Sequence, residues 1–255
     1  MKVSIIIPAY NEEKRIDKTL SAYSKYFDNL VKKKELNYEI IVSINNTTDK
    51  TLEIVKKHKK KNKKIRYLNL KPGGKGFAVI KGFKDALKRK NDLIGFVDAD
   101  MATPPQAFHY LIKNINENSG IIASRYHKHS VVHPKQTWKR IASSRMFNAL
   151  VRIVLFLPLR DTQCGAKLFK RKALERTLRT LTMSQWAFDV DLLYNMKKLG
   201  YSIKEAPTMW SDKSDSKINF LSAGPFMALG VIRLRLINSP LKFIVKAYDK
   251  ITNFL

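Results

Sequence analysis

Between Val3 and Asp98 short apolar runs alternate with helical stretches four times over, and few architectures accept that rhythm. Val3–Pro8, Tyr38–Ile44, Ile65–Leu70 and the run ending at Asp98 read as strands. The stretches between them read as helices. Ile16, Leu20 and Tyr23 recur at helical spacing, and Thr48 and Asp49 look like a cap for a basic helix, Leu52–Lys60. Pro72-Gly-Gly-Lys-Gly76 is a tight loop opening a helix that runs to Leu87. Strand and helix in turn predict an α/β fold with a doubly wound, mostly parallel sheet. A helix over Gln106–Asn116 and a strand over Gly120–Ser124 complete a nucleotide-binding half.

The second half changes character. Tyr126–Gln136 reads as a polar surface loop; its three histidines, His127, His129 and His133, have no acidic or cysteine partner nearby to make a metal site. Trp138–Leu157 is a long helix with a wide apolar side, and Asp161-Thr-Gln-Cys-Gly165 is a turn into strand Ala166–Phe169. Trp186–Leu199 reads as a helix and Tyr201–Pro207 as a strand. From Ser216 onward the chain is apolar and basic. Leu241, Ile244, Tyr248 and Ile251 recur at helical spacing opposite Lys242, Lys246, Lys250 and Asn253. Such a helix either packs on a core or lies in a headgroup layer, and its basic face favours the second reading.

A net charge of +28 calls for an anionic partner: nucleic acid, lipid headgroups or phosphorylated substrates. The plain alternative is a set of solvated lysine runs such as Lys56–Lys64. Nucleic acid is disfavoured, because stacking aromatics do not interleave with that run. The one cysteine, Cys164, excludes an internal disulfide, fits a reducing compartment and reads as a small buried residue. The N-terminus enters a strand directly, so no secretory signal is expected. No apolar run reaches the roughly 18 to 20 residues a bilayer span needs. The longest, Ala149–Leu159 and Phe226–Ile237, are interrupted by Arg152 and by Arg233 and Arg235.

The chemistry concentrates in Ile94-Gly-Phe-Val-Asp-Ala-Asp-Met-Ala-Thr-Pro104. Residues i and i+2 of an extended chain point to the same side, so Asp98 and Asp100 aim into one crevice at a strand's carboxyl end. Open α/β sheets bind ligands there. Paired carboxylates suit a hard cation, Mg²⁺ or Mn²⁺, which can bridge nucleotide phosphates. Asp-X-Asp alone is also compatible with a solvated turn. Two further signals fall in order: Pro8-Ala-Tyr-Asn-Glu12 ends the first strand, and Lys75 opens a helix where a nucleotide's negative charge is favoured.

Taken together these segments resemble family 2 glycosyltransferases of the GT-A (Rossmann-like) fold, and within them the dolichyl-phosphate glucosyltransferase and mannosyltransferase group. Gly74-Lys-Gly-Phe-Ala-Val79, Asp98-Ala-Asp-Met-Ala-Thr-Pro104, Ser124-Arg125, Asp161-Thr-Gln-Cys-Gly-Ala-Lys-Leu-Phe169, Trp186-Ala-Phe-Asp-Val-Asp-Leu-Leu193 and Ser216-Lys-Ile-Asn219 carry the likeness. The resemblance implies transfer of a hexose, glucose first, from a nucleotide sugar, UDP-linked first, to dolichyl or polyprenyl phosphate with inversion. GDP-mannose or UDP-N-acetylglucosamine as donor, or a non-lipid acceptor, are the alternatives. It implies a catalytic domain over residues 1–215, with a nucleotide-binding half (1–125) and an acceptor half (126–215). Membrane-interface helices over 216–255 would then seat the protein on the cytoplasmic face of an anionic membrane.

The same resemblance assigns roles to residues. Pro8, Ala9, Tyr10, Glu12, Asn45, Lys75, Asp98, Ala99 and Asp100 would hold the nucleotide sugar, and Asp98 and Asp100 the Mg²⁺ or Mn²⁺. Arg125, Arg140, Asp161, Gln163 and Asp189 would meet the acceptor phosphate or the sugar, with Asp98, Asp100 and Arg125 at the catalytic centre. For Asp161 and Asp189, sugar binding and ordering of the arginines stay open. Two departures matter. Ile44-Asn45-Asn46-Thr47 replaces the usual Asp-Asp-Gly-Ser, leaving uracil or guanine open, and Ala102 replaces a metal-binding Gln, so water, phosphate or Thr103 must complete the coordination. An enzyme acting on a sugar hydroxyl would show a Glu-Asp motif, which is missing; a non-catalytic membrane protein would not need Asp98, Asp100 and Arg125 intact.

Overall fold

The structure is a computed structural model that describes residues 1–134, 137–182, 187–211, 220–243 and 245. In chain order its elements are β1 (Lys2–Ala9), α1 (Ile16–Lys32), β2 (Asn37–Asn45), α2 (Thr51–Lys61), β3 (Ile65–Leu70), α3 (Lys75–Leu87), β4 (Leu93–Val97), α4 (Pro105–Asn114) and β5 (Gly120–Ala123). There follow β6 (Val131–Val132), α5 (Trp138–Leu155), β7 (Ala166–Lys170), α6 (Arg171–Thr177), α7 (Phe188–Lys198), β8 (Ile203–Ala206), β9 (Met209–Trp210) and α8 (Phe220–Ile237).

One seven-stranded sheet runs β3-β2-β1-β4-β7-β5-β8. The β1/β2, β1/β4, β2/β3 and β5/β8 pairs are parallel, and β7 alone runs antiparallel to its neighbours β4 and β5. Both faces are covered, which is why the strands read as continuous apolar runs. Ile5, Ile7, Val42 and Val97 pack on Leu20, Tyr23 and Phe27 of α1 and Phe108 and Leu111 of α4. Ile6, Ile41, Ile94 and Phe96 pack on Val79 and Phe83 of α3, Leu174 of α6 and Leu193 of α7. Each fully buried side chain of this size contributes roughly 1.5 to 3 kcal/mol.

The helical stripe of α1 is longer than the three positions that announce it: Ile16, Leu20, Tyr23, Phe27 and Leu30 are all buried. At the amino end of the sheet the buried Glu39 accepts hydrogen bonds from Ser4, Asn91 and Arg89, closing the end away from the carboxyl edge. The cap of α2 differs in detail from the expectation: Lys50 is the capping residue, while Asp49 Oδ1 accepts from the Thr51 amide at 2.9 Å.

Three features depart from the sequence reading. The polar loop over Tyr126–Gln136 contains β6, which pairs in parallel with β9 as a separate two-stranded sheet. The short helix α6 follows β7 without a break. And α8, in the segment read as membrane-interfacial, shares the main core through Val231 and Leu234. The amphipathic tail pattern falls mostly on residues 244 and 246–255, and with Trp186 and the Ser216–Asn219 segment it lies outside the described residues, apart from the exposed Leu241 and Lys242.

Candidate active site

The carboxyl ends of β1, β2 and β4 open onto a cavity of about 780 Å³. Pro8, Tyr10 and Glu12 line it from the β1 edge, Asn45 and Gly74–Gly76 from the β2 and α3 edge, and Asp98, Ala99 and Asp100 from the end of β4. The lining also takes in Arg125, Arg140, Ser144, Gln163, Asp189, Trp210 and Met227. The loops after β1 and β2 are stitched together: Thr51 Oγ1 accepts from the Glu12 amide at 2.8 Å, and Asp49 Oδ2 from the Glu13 amide at 3.0 Å. Glu12 in turn pairs with Arg15 at 2.6 Å.

Asp98 and Asp100 leave β4 on a turn that other elements hold from below. Thr19 Oγ1 donates to Ala99 O at 2.6 Å, and the buried Tyr23 hydroxyl donates to Thr103 O at 2.8 Å. Burial keeps the Tyr23 phenol well above its ordinary pKa, with the charges of Asp100 and Asp98 adding to the effect, so it remains a donor. Between the aspartates and their anchors Met101 takes a left-handed backbone, φ +60°, a conformation non-glycine residues adopt seldom. Asp100 Oδ1 accepts from the Ala102 amide at 2.9 Å.

Asp98 is gripped from two sides. Lys75 Nζ lies 2.6 Å from its Oδ1. A Cβ added at Gly165 would overlap its Oδ2, so the turn before β7 packs directly on the carboxylate. Burial raises the Asp98 pKa, Lys75 opposes that, and Asp100 and Asp189 add to it; the net direction is up. For Lys75 burial alone would lower the pKa, but the charges of Asp98, Asp189 and Asp100 outweigh it and hold the ammonium above its usual range. A cation therefore already sits at the carboxylate, and a second oxygen donor, Asp100, lines the same wall.

Two hard carboxylates fit a divalent ion that keeps waters and takes its remaining ligands from substrate phosphates. Among the described residues no cluster of three or more His, Cys, Asp or Glu side chains is arranged as a metal cage. Thr103, one of the candidates for completing the coordination, is buried and off the cavity wall, which leaves water and phosphate.

Arg125, also on the lining, is committed along one edge. Its Nε and one terminal nitrogen donate to Asp161 Oδ2 and Oδ1 at 2.8 Å each, and its backbone N–H donates to Asp161 Oδ2 at 2.8 Å. The guanidinium lies over Trp210 and Tyr126, 5.3 and 5.6 Å from the ring centroids. Asp161 is fully buried and off the lining, and both of its carboxylate oxygens are taken up by Arg125. Asp189 is on the lining; its Oδ1 accepts from the buried ammonium of Lys167 at 2.7 Å. That ammonium also donates to Cys164 O at 2.7 Å. Burial, with Asp161 adding, pushes the Cys164 thiol up to about 12, which makes it a packed residue and not a nucleophile.

Of the residues expected for the nucleotide, all but Ala9 line the cavity; Ala9 is buried behind it. Asn45 has another task besides. In the amide orientation that satisfies both neighbours, its nitrogen donates to Ala9 O and its oxygen accepts from the Gly74 N–H, both at 3.0 Å. Asn45 thus pins the glycine loop to β1. The sequence reading missed Ser144, Lys167, Trp210 and Met227. Ser144 is four residues beyond Arg140 on α5, so helical spacing from that arginine points to it. It is 4% exposed, lines the cavity, and its hydroxyl has no partner among the described residues.

Comparison with known proteins gives the family and the fold. Residues 4–178 match the family described as glycosyl transferase family 2. The chain is 34% identical over 243 residues to a dolichyl-phosphate beta-glucosyltransferase of Dictyostelium discoideum, covering 91% of this chain and 73% of that protein. It is 32% identical over 228 residues to the Homo sapiens protein of the same name, covering 85% and 69%. In structure it is similar to glucosyl-3-phosphoglycerate synthase from Mycobacterium tuberculosis, solved in complex with Mn²⁺, UDP and phosphoglyceric acid. The TM-score is 0.66 at 18% identity, over 92% of this chain and 77% of that one.

Proposed function

The chain belongs to glycosyl transferase family 2, and from that premise we propose that it transfers glucose from a UDP-linked donor to the phosphate of dolichol or a related polyprenol. The product is a β-linked lipid-phosphate sugar, formed with inversion. Relatives named for that reaction support the acceptor and the sugar. The observation that carries the reading is that one cavity brings two chemistries together, a pair of carboxylates and a set of cationic and hydroxyl or amide donors. Asp98 and Asp100, which we assign to the donor, line the same cavity as Arg125, Arg140, Gln163 and Ser144, which we assign to the acceptor; the Ser144 hydroxyl has no partner among the described residues.

A phosphate monoester has a second pKa near ~6 and is largely dianionic at neutral pH. It is a nucleophile without help from a strong base; what it needs is orientation and charge neutralisation. Arg125, fixed by Asp161, presents its other edge to the cavity, and Arg140 and Ser144 add donors from one face of α5. A charge-assisted contact of this kind contributes on the order of 1.5 to 3 kcal/mol. Pro8, Tyr10, Glu12 and the loop pinned by Asn45 hold the nucleotide, and Lys75 supplies positive charge beside its phosphates. Asp98 and Asp100 would hold Mg²⁺ or Mn²⁺, which when bound neutralises charge developing on the departing diphosphate. The Mn²⁺ and UDP in the mycobacterial protein of the same fold are consistent with that choice.

A lipid acceptor requires the site to reach a bilayer. We assign residues 1–125 to the donor, 126–215 to the acceptor, and 216–255 together with α5 to an anionic membrane's cytoplasmic face. The helices that wall the acceptor side expose large apolar side chains: Trp138, Met146 and Ile153 on α5, and Phe226, Leu229 and Ile232 on α8. Among the described residues no helix is long and apolar enough to cross a membrane.

The test is to incubate the protein with polyprenyl phosphate in vesicles, Mn²⁺ or Mg²⁺, and labelled UDP-glucose, GDP-mannose or UDP-N-acetylglucosamine, then extract the lipid. Label should enter the lipid from UDP-glucose and stop on chelation. Transfer only from GDP-mannose would overturn the donor, and transfer to soluble sugars but not to lipid phosphate would overturn the acceptor.

A further inference from the structure

Lys75 is built to reach Asp98. Gly74 takes φ +114°, Asn45 fixes its amide, and α3 therefore begins with its first side chain directed at the end of β4. The ammonium lies 2.6 Å from Asp98 Oδ1 and 5.7 Å from the Phe96 ring centroid. The other oxygen, Oδ2, is pressed against Gly165. Of the two carboxylates that would bind a divalent ion, one is thus already neutralised by a tethered cation.

We propose that Lys75 is a positioning residue acting as an internal counter-cation, which makes the divalent ion and the nucleotide diphosphate bind as a unit. The inference rests on reading Asp98 and Asp100 as metal ligands. Without nucleotide, an incoming Mn²⁺ competes with the ammonium for Asp98, whereas Asp100, one oxygen of which accepts from the Ala102 amide, makes no ion pair with the ammonium. When a diphosphate enters, its oxygens offer the ammonium a new partner and the metal additional ligands, and Asp98 is released. Coupling of this kind is reciprocal, so the metal must tighten the nucleotide by the factor by which the nucleotide tightens the metal.

The experiment measures Mn²⁺ binding by the free-ion electron paramagnetic resonance signal, with and without UDP, without any turnover. For the unaltered protein UDP should lower the apparent Kd for Mn²⁺ by about tenfold or more, as expected for a charge-assisted contact. Lys75→Met, which keeps length and removes charge, should bind Mn²⁺ alone about tenfold more tightly and lose most of the enhancement by UDP. Lys75→Arg should retain the weak binding without nucleotide, and thermal unfolding of both variants checks that they fold. Unchanged Mn²⁺ affinity in Lys75→Met, or Lys75→Arg behaving like Lys75→Met, would overturn the counter-cation. Asp100→Asn separates the two claims: full Mn²⁺ affinity with UDP in that variant would remove the metal-site reading itself, whereas its loss leaves only the role of Lys75 at stake.

Discussion

Gly165 has no room for a side chain, because the space its Cβ would take is filled by the Asp98 carboxylate. Gly165→Ala must displace either the turn or the aspartate, and an ångström of misplacement at a reacting centre can cost about a hundredfold. Turnover is expected to fall by about that factor while overpacking costs roughly 1 to 3 kcal/mol; near-normal turnover in a folded variant would mean Asp98 is not needed where it stands. The two arginines assigned to the acceptor should separate in the same way. Removing Arg125 strands a fully buried Asp161, and breaking a buried pair from one side costs about 3 to 5 kcal/mol. Arg125→Ala should therefore unfold at clearly lower urea. Arg140→Ala should raise KM for lipid phosphate more than for nucleotide sugar. An equal rise in both KM values in Arg140→Ala would contradict its place at the acceptor. Asp98, Asp100, Lys75 and Arg125 were legible because each belongs to a contiguous motif. Ser144, Lys167 and Trp210 were not, because they reach the site from separate elements and only the fold brings them together.

Among the elements, most of the open sheet was legible, since a strand buried on both faces is an apolar run and a helix over it repeats at 3.6 residues. Direction was not. The sequence of β7 reads the same whether it runs with or against β4, and its antiparallel setting follows from the path the chain takes through α5. The two-residue strands β6 and β9 are too short to show any period. The packing of α4 on α1 brings a titrating group into the core. The Tyr26 hydroxyl lies 2.9 Å from His109 Nδ1, and the rings meet edge to face at 5.6 Å. Burial lowers the His109 pKa, Lys113 lowers it further, and Glu35 only partly opposes them. The folded state thus prefers the neutral ring, whereas the unfolded chain takes up a proton near ~6.5. Stability contributed here is complete above that pH and is lost as pH falls through it. His109→Gln, which keeps a partner for Tyr26 without titrating, should flatten the fall in melting temperature between about pH 7 and 5. An unchanged acid limb would place that sensitivity elsewhere.

For the whole molecule the question is how a protein of net charge +28 meets a substrate confined to a bilayer. Monomeric proteins seldom leave large contiguous apolar patches open to water. Here Trp138, Met146 and Ile153 on α5, Phe226 and Leu229 on α8, and Phe156 and Phe243 beyond them are each more than 60% exposed. Lys139, Arg145, Arg152, Arg235 and Lys242 belong to the same segments, and each basic residue near an anionic surface adds about 1 kcal/mol. Charge would bring the protein to the headgroups and the apolar side chains would hold it, while the inner faces of the same helices carry Arg140, Ser144 and Met227 into the cavity. Vesicle binding is therefore expected to rise with anionic lipid and to weaken as salt screens the lysines and arginines. Changing Ile153 and Leu229 together to Glu leaves the cavity wall untouched but makes the exposed faces costly to insert. The double variant should lose most of its activity on polyprenyl phosphate in vesicles and keep it on a short-chain, water-soluble polyprenyl phosphate. Equal loss on both substrates would show that these side chains support the fold and not the membrane contact. Equal retention on both would mean the bilayer is reached by another surface.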